Sequence, residues 1–222
     1  MVEQLTAQQF EESDGVGDWR VVGDGACAYF RTGSFAAGVR LVQAIGDLPG
    51  VDDHAPDIDL RADGVTVRLL TYSNDYYGMT DLDVELARRI SEVARAQGVS
   101  ANPSAVQSVL VIPGATDRRT VMPFWRAVLG YEPRTDSPDE DLVDPRNRWP
   151  GFWFESMDEP RADGGGAIHI AVWVPYEQAE GRVASALAAG GRMVRDQFAP
   201  SWWTLADAAG NEADIATTRG RG

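Results

Sequence analysis

The 222-residue sequence predicts an α+β fold in two units, and three observations predict it. Apolar residues alternate with polar ones on either side of Gly-containing turns, the pattern of antiparallel hairpins. Between the hairpins, apolar residues recur at spacings of three and four, the pattern of helices with one buried side. Residues 99–107, with Asn102-Pro103-Ser104, show neither period, and the element order changes beyond them. The expected division is residues 1–98, a linker over 99–107, and residues 108–222. The first unit should be an antiparallel sheet with helices on one face.

Within residues 5–12, Thr6 and Gln9 stand in capping-box spacing, so a short helix is predicted. Apolar runs at 19–22 and 26–32 flank Gly23-Asp24-Gly25, whose glycines permit a tight hairpin turn. Ser34 is a helix N-cap, followed by Phe35, Val39, Val42 and Ile45 as a stripe expected to lie on the sheet, with Pro49-Gly50 as the stop. Ile58 and Leu60, then Val65, Val67 and Leu69, alternate with polar residues around Asp63-Gly64, the clearest hairpin signal in the chain. Thr80 and Asp83 open a helix reaching about Gln97, with Leu82, Leu86, Ile90 and Val93 along one side and Gly98 ending it.

In the second unit, residues 108–112 read as a strand. Residues 118–129 read as a helix that tolerates Pro123 only in or near its first turn, and Gly130 ends it. Residues 151–156 and 166–174 read as strands, 176–189 as a helix closed by Gly190-Gly191, and 193–215 as three short strands. The order is β-α-β-β followed by β-α-β-β-β, a doubled architecture without a sequence repeat.

Composition excludes several functions. With 34 acidic against 20 basic residues, a net charge of -14 and a pI near 4.5, the chain repels phosphate backbones and anionic membranes, so neither nucleic acid nor membrane is an expected partner. Hydrophobic residues make up 44%, enough to bury a core. A single cysteine, Cys27, cannot form an internal disulfide and points to a reducing compartment. No basic segment followed by an apolar run opens the chain, and no apolar stretch approaches membrane length, so a cytoplasmic protein with a small-molecule substrate is expected. A homo-oligomer is left open. The 2 histidines, His54 and His169, limit any mechanism that needs several imidazoles.

The blocks DWRV, FRTGSFAAGVRLV, DDHAPDIDL, VTVRLLTYS and GMTDLDVELARRIS, in this order over roughly residues 5–97, resemble the pterin-4a-carbinolamine dehydratase family. The resemblance implies removal of water from 4a-hydroxytetrahydropterin (4a-hydroxytetrahydrobiopterin) without a metal. That reaction protonates a leaving hydroxyl and takes a proton from a ring nitrogen, work suited to imidazoles. Matched to the family's His-His-Pro run and third histidine, His54 takes the first histidine's place, Ala55 the second's, Pro56 the proline's and Tyr72 the third histidine's. Asp83 matches the aspartate at the helix start, after a loop at residues 74–77 about two residues longer than usual for the family. The implied site is therefore His54 as acid or base, Tyr72 as a weaker proton donor or ring contact, Asp83 as orienter, and Asp53 as a nearby substrate contact. Read without the resemblance, His54 is an exposed loop histidine beside Asp52 and Asp53, and Asp83 is a helix cap.

The blocks PFWRAVLGYEP, WFESMDEPR, IHIAVWVP and WWTLADAAGNEADIAT, over about residues 106–218, resemble the glyoxalase-like branch of the vicinal oxygen chelate superfamily. The resemblance implies two βαβββ modules around an open cleft. Metal-using members place four ligands there, and Glu155, His169 and Asp214 fall at three of those positions. The fourth falls on apolar Leu110, unless an irregular turn at Pro113-Gly114 shifts the register toward Gln107. The expectation is therefore no cofactor and no metal, with Glu155, His169 and Asp214 as the candidates should one bind. Trp153, Trp173 and Trp202 concentrate aromatic area in this unit and are the expected contacts for a planar ligand. The alternative function is thus the binding or modification of an aromatic small molecule, such as a natural product, in that cleft.

Overall fold

Alternation along two central strands sets the first core: Ala26, Ala28 and Phe30 on one, and Val65, Val67 and Leu69 on its neighbour, are all buried in one cluster. The computed structural model describes residues 3–106, 111–157, 169–173 and 176–216. Its contacts divide the chain into two units, Met1–Val109 and Leu110–Gly222, and the fold is α+β with largely antiparallel sheets. No helix among the described residues is long and apolar enough to cross a membrane.

The first unit runs β1 (Gln4–Leu5), α1 (Ala7–Glu11), β2 (Arg20–Val22), β3 (Gly25–Arg31), α2 (Phe35–Gly46), a 3-10 turn (Val51–Asp53), β4 (Asp57–Leu60), β5 (Gly64–Leu69), β6 (Thr71–Ser73), β7 (Tyr76–Thr80), α3 (Asp81–Ala96) and β8 (Ser100–Ala101). The main sheet has the order β2-β3-β5-β4, with β8 also paired to β3 through Phe30↔Ala101. Residues 100–101, expected within the linker, therefore belong to this sheet. A second sheet, β1-β7-β6, adds a strand at Gln4–Leu5 that the sequence reading placed at the start of a helix. Residues 74–77, expected as a loop, instead form a tight hairpin in which Ser73 pairs with Tyr76. The capping box of Thr6 and Gln9 is present, as is the Ser34 cap on Ala37.

Helix α2 keeps only the second half of the expected stripe, Val42 and Ile45, against the core. Leu41 and Ile45 are buried with Gly38, while Phe35 and Val39 are 56% and 46% exposed. Gly38 explains the choice, because a Cβ there would lie 2.4 Å from Leu60 Cδ1. The helix approaches the sheet at its glycine, and that contact fixes its rotation. Helix α3 buries Leu86 and Ile90 as expected but leaves Leu82 exposed, and Asp83, Ala87, Ser91 and Ala94 are buried beside them. Ser91 accepts from the buried Trp19 indole at 3.0 Å.

The second unit runs β9 (Gly114–Ala115), α4 (Arg118–Leu129), β10 (Glu132–Pro133), β11 (Asp141–Val143), β12 (Phe152–Trp153), β13 (Glu155–Ser156), β14 (His169–Trp173), α5 (Tyr176–Ala188), β15 (Arg192–Arg195), β16 (Trp202–Ala206) and β17 (Glu212–Ala216). The strand expected at 108–112 falls largely outside the described residues. Val111 bridges in parallel to Phe152, and β9 continues the pairing as a parallel neighbour of β13. With β12 and β13 taken as one interrupted strand, the first half has the order β9-β12/β13-β11-β10. The second half has the order β14-β17-β16-β15, also with its first and last strands parallel. The two halves thus share one topology, the doubling that the element order predicted.

Pro123 stands in the second turn of α4, not the first. Its ring removes the N–H that would serve the Arg119 carbonyl, and its exposed position lets water take that place. The core of this unit joins Phe124, Trp125 and Val128 of α4 to Phe152, Phe154, Trp203, Leu205, Ala213 and Ile215.

Candidate functional site

The first candidate site is built where α3 begins. Thr80 is the helix N-cap, and Asp83, three residues on, reaches back so that Oδ2 accepts from the Thr80 N–H at 2.7 Å and the Thr80 hydroxyl at 2.9 Å. Neighbouring β6 supplies Thr71, whose hydroxyl lies 2.8 Å from the same Oδ2 and 2.8 Å from Thr80 Oγ1. Two hydroxyl hydrogens serve these three oxygen–oxygen contacts, so the threonines and the carboxylate form one coupled network.

The other carboxylate oxygen is given to His54. The left-handed Gly50 and the 3-10 turn Val51–Asp53 carry the chain to His54, whose N–H donates to Val51 O at 3.2 Å. Its Nε2 lies 2.8 Å from Asp83 Oδ1, with the aspartate side chain 0% and the histidine side chain 19% exposed. An ionised Asp83 only accepts, so Nε2 carries the hydrogen and Nδ1 is the nitrogen left to take up a proton. The buried carboxylate also stabilises the positive charge that the ring acquires when it does so. Geometrically this is a base held in one tautomer by a fixed acceptor.

Of the four residues expected at this site, the structure joins two, His54 and Asp83. Thr71, not Tyr72, is the residue of β6 that faces the carboxylate. Side chains alternate along a strand, and Tyr72 is accordingly 62% exposed, with its ring 6.3 Å from that of Tyr77. It makes no hydrogen bond to His54 or Asp83, so the geometry gives it no proton route to the pair. Asp53 is exposed on the 3-10 turn. The sequence reading missed Thr71 and Tyr76. Tyr76 donates to the Met79 carbonyl, and burial, reinforced by the negative Asp83, pushes its phenol up. The Thr80-to-Asp83 spacing was the available signal for the network; nothing local in the sequence marked Thr71. Cys27 is buried in the same unit, and desolvation pushes its thiol up.

In the second unit, the side chains of Glu155, His169 and Trp173 lie outside the described residues. The backbone register pairs His169 with Glu212 and Ala171 with Asp214. Asp214 Oδ1 accepts from the Thr204 hydroxyl at 2.6 Å, and Arg195 pairs with Glu212 at 3.3 Å. Among the described residues no three His, Cys, Asp or Glu side chains come together as metal ligands. Trp153 is exposed, whereas Trp202 stacks on Phe198 with ring centroids 4.3 Å apart, so one face of its indole is already covered.

The GNE segment of this unit has a structural role. Asp207 is buried and accepts from Trp125 Nε1, the Ala209 N–H, the Asn211 N–H and the Asn211 amide at 2.9–3.0 Å, and the same amide donates to Gly114 O. One turn thereby ties β9, α4 and β17 together.

A helix-backed antiparallel sheet with a buried His–Asp pair, followed by a duplicated strand–helix unit, defines a two-domain α+β protein. A family model described as pterin 4 alpha carbinolamine dehydratase matches residues 3–93, and one described as a glyoxalase-like domain matches residues 109–216. A Nocardia farcinica protein provisionally named pterin-4-alpha-carbinolamine dehydratase is 38% identical over 78 residues, which are 35% of this chain and 80% of that protein. A Mycobacterium relative of the same provisional name is 37% identical over 60 residues, 27% of this chain and 62% of its own length. Among solved structures, a glyoxalase-related enzyme from Fulvimarina pelagi is similar at 21% identity and a TM-score of 0.38, covering 50% of this chain and 88% of that one. The chain belongs to the pterin-4a-carbinolamine dehydratase family through its first unit and carries a glyoxalase-like domain as its second.

Proposed function

We propose that the first unit dehydrates a 4a-hydroxytetrahydropterin. The observation that supports this reading best is the 2.8 Å contact between His54 Nε2 and a fully buried Asp83. In the reaction the C4a–O bond breaks, water leaves with one added proton, and the adjacent ring N–H loses its proton as the C=N bond forms. His54 Nδ1 accepts the ring proton and returns one to the departing hydroxyl, so a single imidazole serves both transfers in turn. Asp83 holds the tautomer and the charge; Thr71 and Thr80 hold Asp83. No step draws on a metal. A single, buried Cys27 fits a protein working in a reducing compartment such as the cytoplasm.

The test is stopped-flow dehydration of 4a-hydroxytetrahydropterin. His54→Ala should lower the catalysed rate by roughly 100- to 10,000-fold, the usual worth of a positioned proton-transfer group. Asp83→Asn should fall between that variant and wild type. Wild-type protein no faster than buffer, or His54→Ala as fast as wild type, would remove the proposal.

A further inference from the structure

We infer that the second unit binds a small organic oxyanion, a phosphate or carboxylate carried on an apolar body, in a cavity between α4, α5 and the β10–β11 segment. The cavity has a volume of about 820 Å³, within the range of small-molecule sites. Its lining comes from α4, α5 and residues 130–142, with none from β14, β16 or β17, so it is separate from the positions of Trp202 and Asp214.

Three arginines reach this cavity: Arg119, Arg126 and Arg182. None has a carboxylate within ion-pair distance among the described residues, although acidic side chains outnumber basic ones 34 to 20 in the chain. Helix electrostatics accounts for one of the three, because a cation in the last turn, where Arg126 stands, is favourable. The same field opposes Arg119 in the first turn. Its neighbour Arg118 is compensated by Glu140; Arg119 is not. Arg182 is the third. Its Nη1 donates to the Val128 carbonyl and it packs over Gly130, whose left-handed φ of +70° and missing Cβ leave room for the guanidinium. Burial there pushes Arg182 below its ordinary value, the mark of a cation without a counter-charge.

Met122, Tyr131 and Leu142, each part of the unit's core cluster, give the cavity an apolar wall. Glu132 and Asp139 also border the cavity, so the surplus of positive charge is one. Guanidinium forks match the paired oxygens of a phosphate or carboxylate. The combination suits an amphipathic anion, not a bare ion.

Isothermal titration of the full chain with 2-naphthyl phosphate, 2-naphthoate, 2-naphthol and inorganic phosphate tests this, with amide chemical-shift mapping to place the site. Binding of either naphthyl anion is expected, with neutral 2-naphthol and inorganic phosphate each at least about tenfold weaker and shifts at Gly130, Tyr131 and Ser185. The phosphate and carboxylate arms tell which head group is preferred. Arg119→Ala and Arg126→Ala should each weaken the anion about tenfold, the worth of one lost charge-assisted contact, and Arg126→Lys should weaken it less. Equal affinity for 2-naphthol, binding unchanged in the double alanine variant, shifts confined to Trp202 and Thr204, or no binding at millimolar concentrations would each overturn the inference. None of these readouts depends on the pterin reaction, so its failure and the failure of this site are distinguishable.

Discussion

Asp83 lies within hydrogen-bond distance of four donors and has no solvent exposure, so its removal leaves the buried Thr80 N–H and a threonine hydroxyl without their acceptor and His54 without its partner. Asp83→Ala should cost about 3 kcal/mol or more, measured as a lower urea midpoint, because buried donors left without an acceptor pay their full desolvation. A cost below about 1 kcal/mol would mean that water enters the network. Tyr131 carries a pH-dependent counterpart in the second unit. Its hydroxyl donates to Pro150 O at 2.9 Å, and burial, reinforced by Asp144, holds the phenol well above its ordinary 10.0. Below that value both folded and unfolded chains keep the proton and stability is unaffected. Above it the unfolded chain ionises first, so stability falls by about 1.4 kcal/mol per pH unit until the folded group titrates. Tyr131→Phe should lose about 1 kcal/mol at neutral pH, and the two melting curves should converge as the pH rises past 10.0; parallel curves would refute the linkage. At this scale His54 was legible through the family motif alone, and Asp83 through that motif together with its capping-box spacing from Thr80. The exchange of Tyr72 for Thr71 was not. Matching a motif fixes a position along the chain, whereas the side of the strand that meets Asp83 is decided by the β6–β7 pairing.

Helix α2 shows what periodicity can and cannot decide. Phe35, Val39, Val42 and Ile45 form one stripe with helical spacing, and Gly38, Leu41 and Ile45 form another that shares its last residue, so hydrophobic pattern alone leaves the rotation open. The close approach at Gly38 decides it in favour of the stripe with the smallest residue. Gly38→Leu should destabilise by about 1–3 kcal/mol from overpacking against Leu60 and Val65, even though a better helix former contributes about 1 kcal/mol in the opposite sense. Phe35→Ser, on the exposed side, should stay within about 0.5 kcal/mol of wild type. Thermal denaturation of the two variants checks both. The reverse order would return Phe35 to the core. Among the elements lost from the sequence reading, β1 and β8 are two-residue strands held by pairing to longer ones. Such strands carry no period of their own.

At the scale of the whole chain, the doubled order of the second unit was visible because topology survives where sequence similarity between the halves does not. The charge of -14 acts at the same scale, and two effects of salt oppose each other. Raising ionic strength from about 0.01 to 0.15 M shortens the screening length from about 30 to about 8 Å, which relieves repulsion among distant carboxylates. It also weakens pairs such as Arg61–Asp59, Arg118–Glu140 and Arg195–Glu212. Such pairs, partly or fully exposed, are worth about 0–1 kcal/mol each even at low salt. Repulsion is spread over an excess of acidic groups and has no compensating geometry, so its relief should win. The partly buried His54–Asp83 pair and the buried Asp207 network are little screened, and they stay out of the balance. A sodium chloride series at neutral pH should therefore raise stability by about 1 kcal/mol, a melting temperature about 2–4 °C higher. A melting temperature that falls over the same series would place the ion pairs ahead of the net charge as the governing electrostatic contribution.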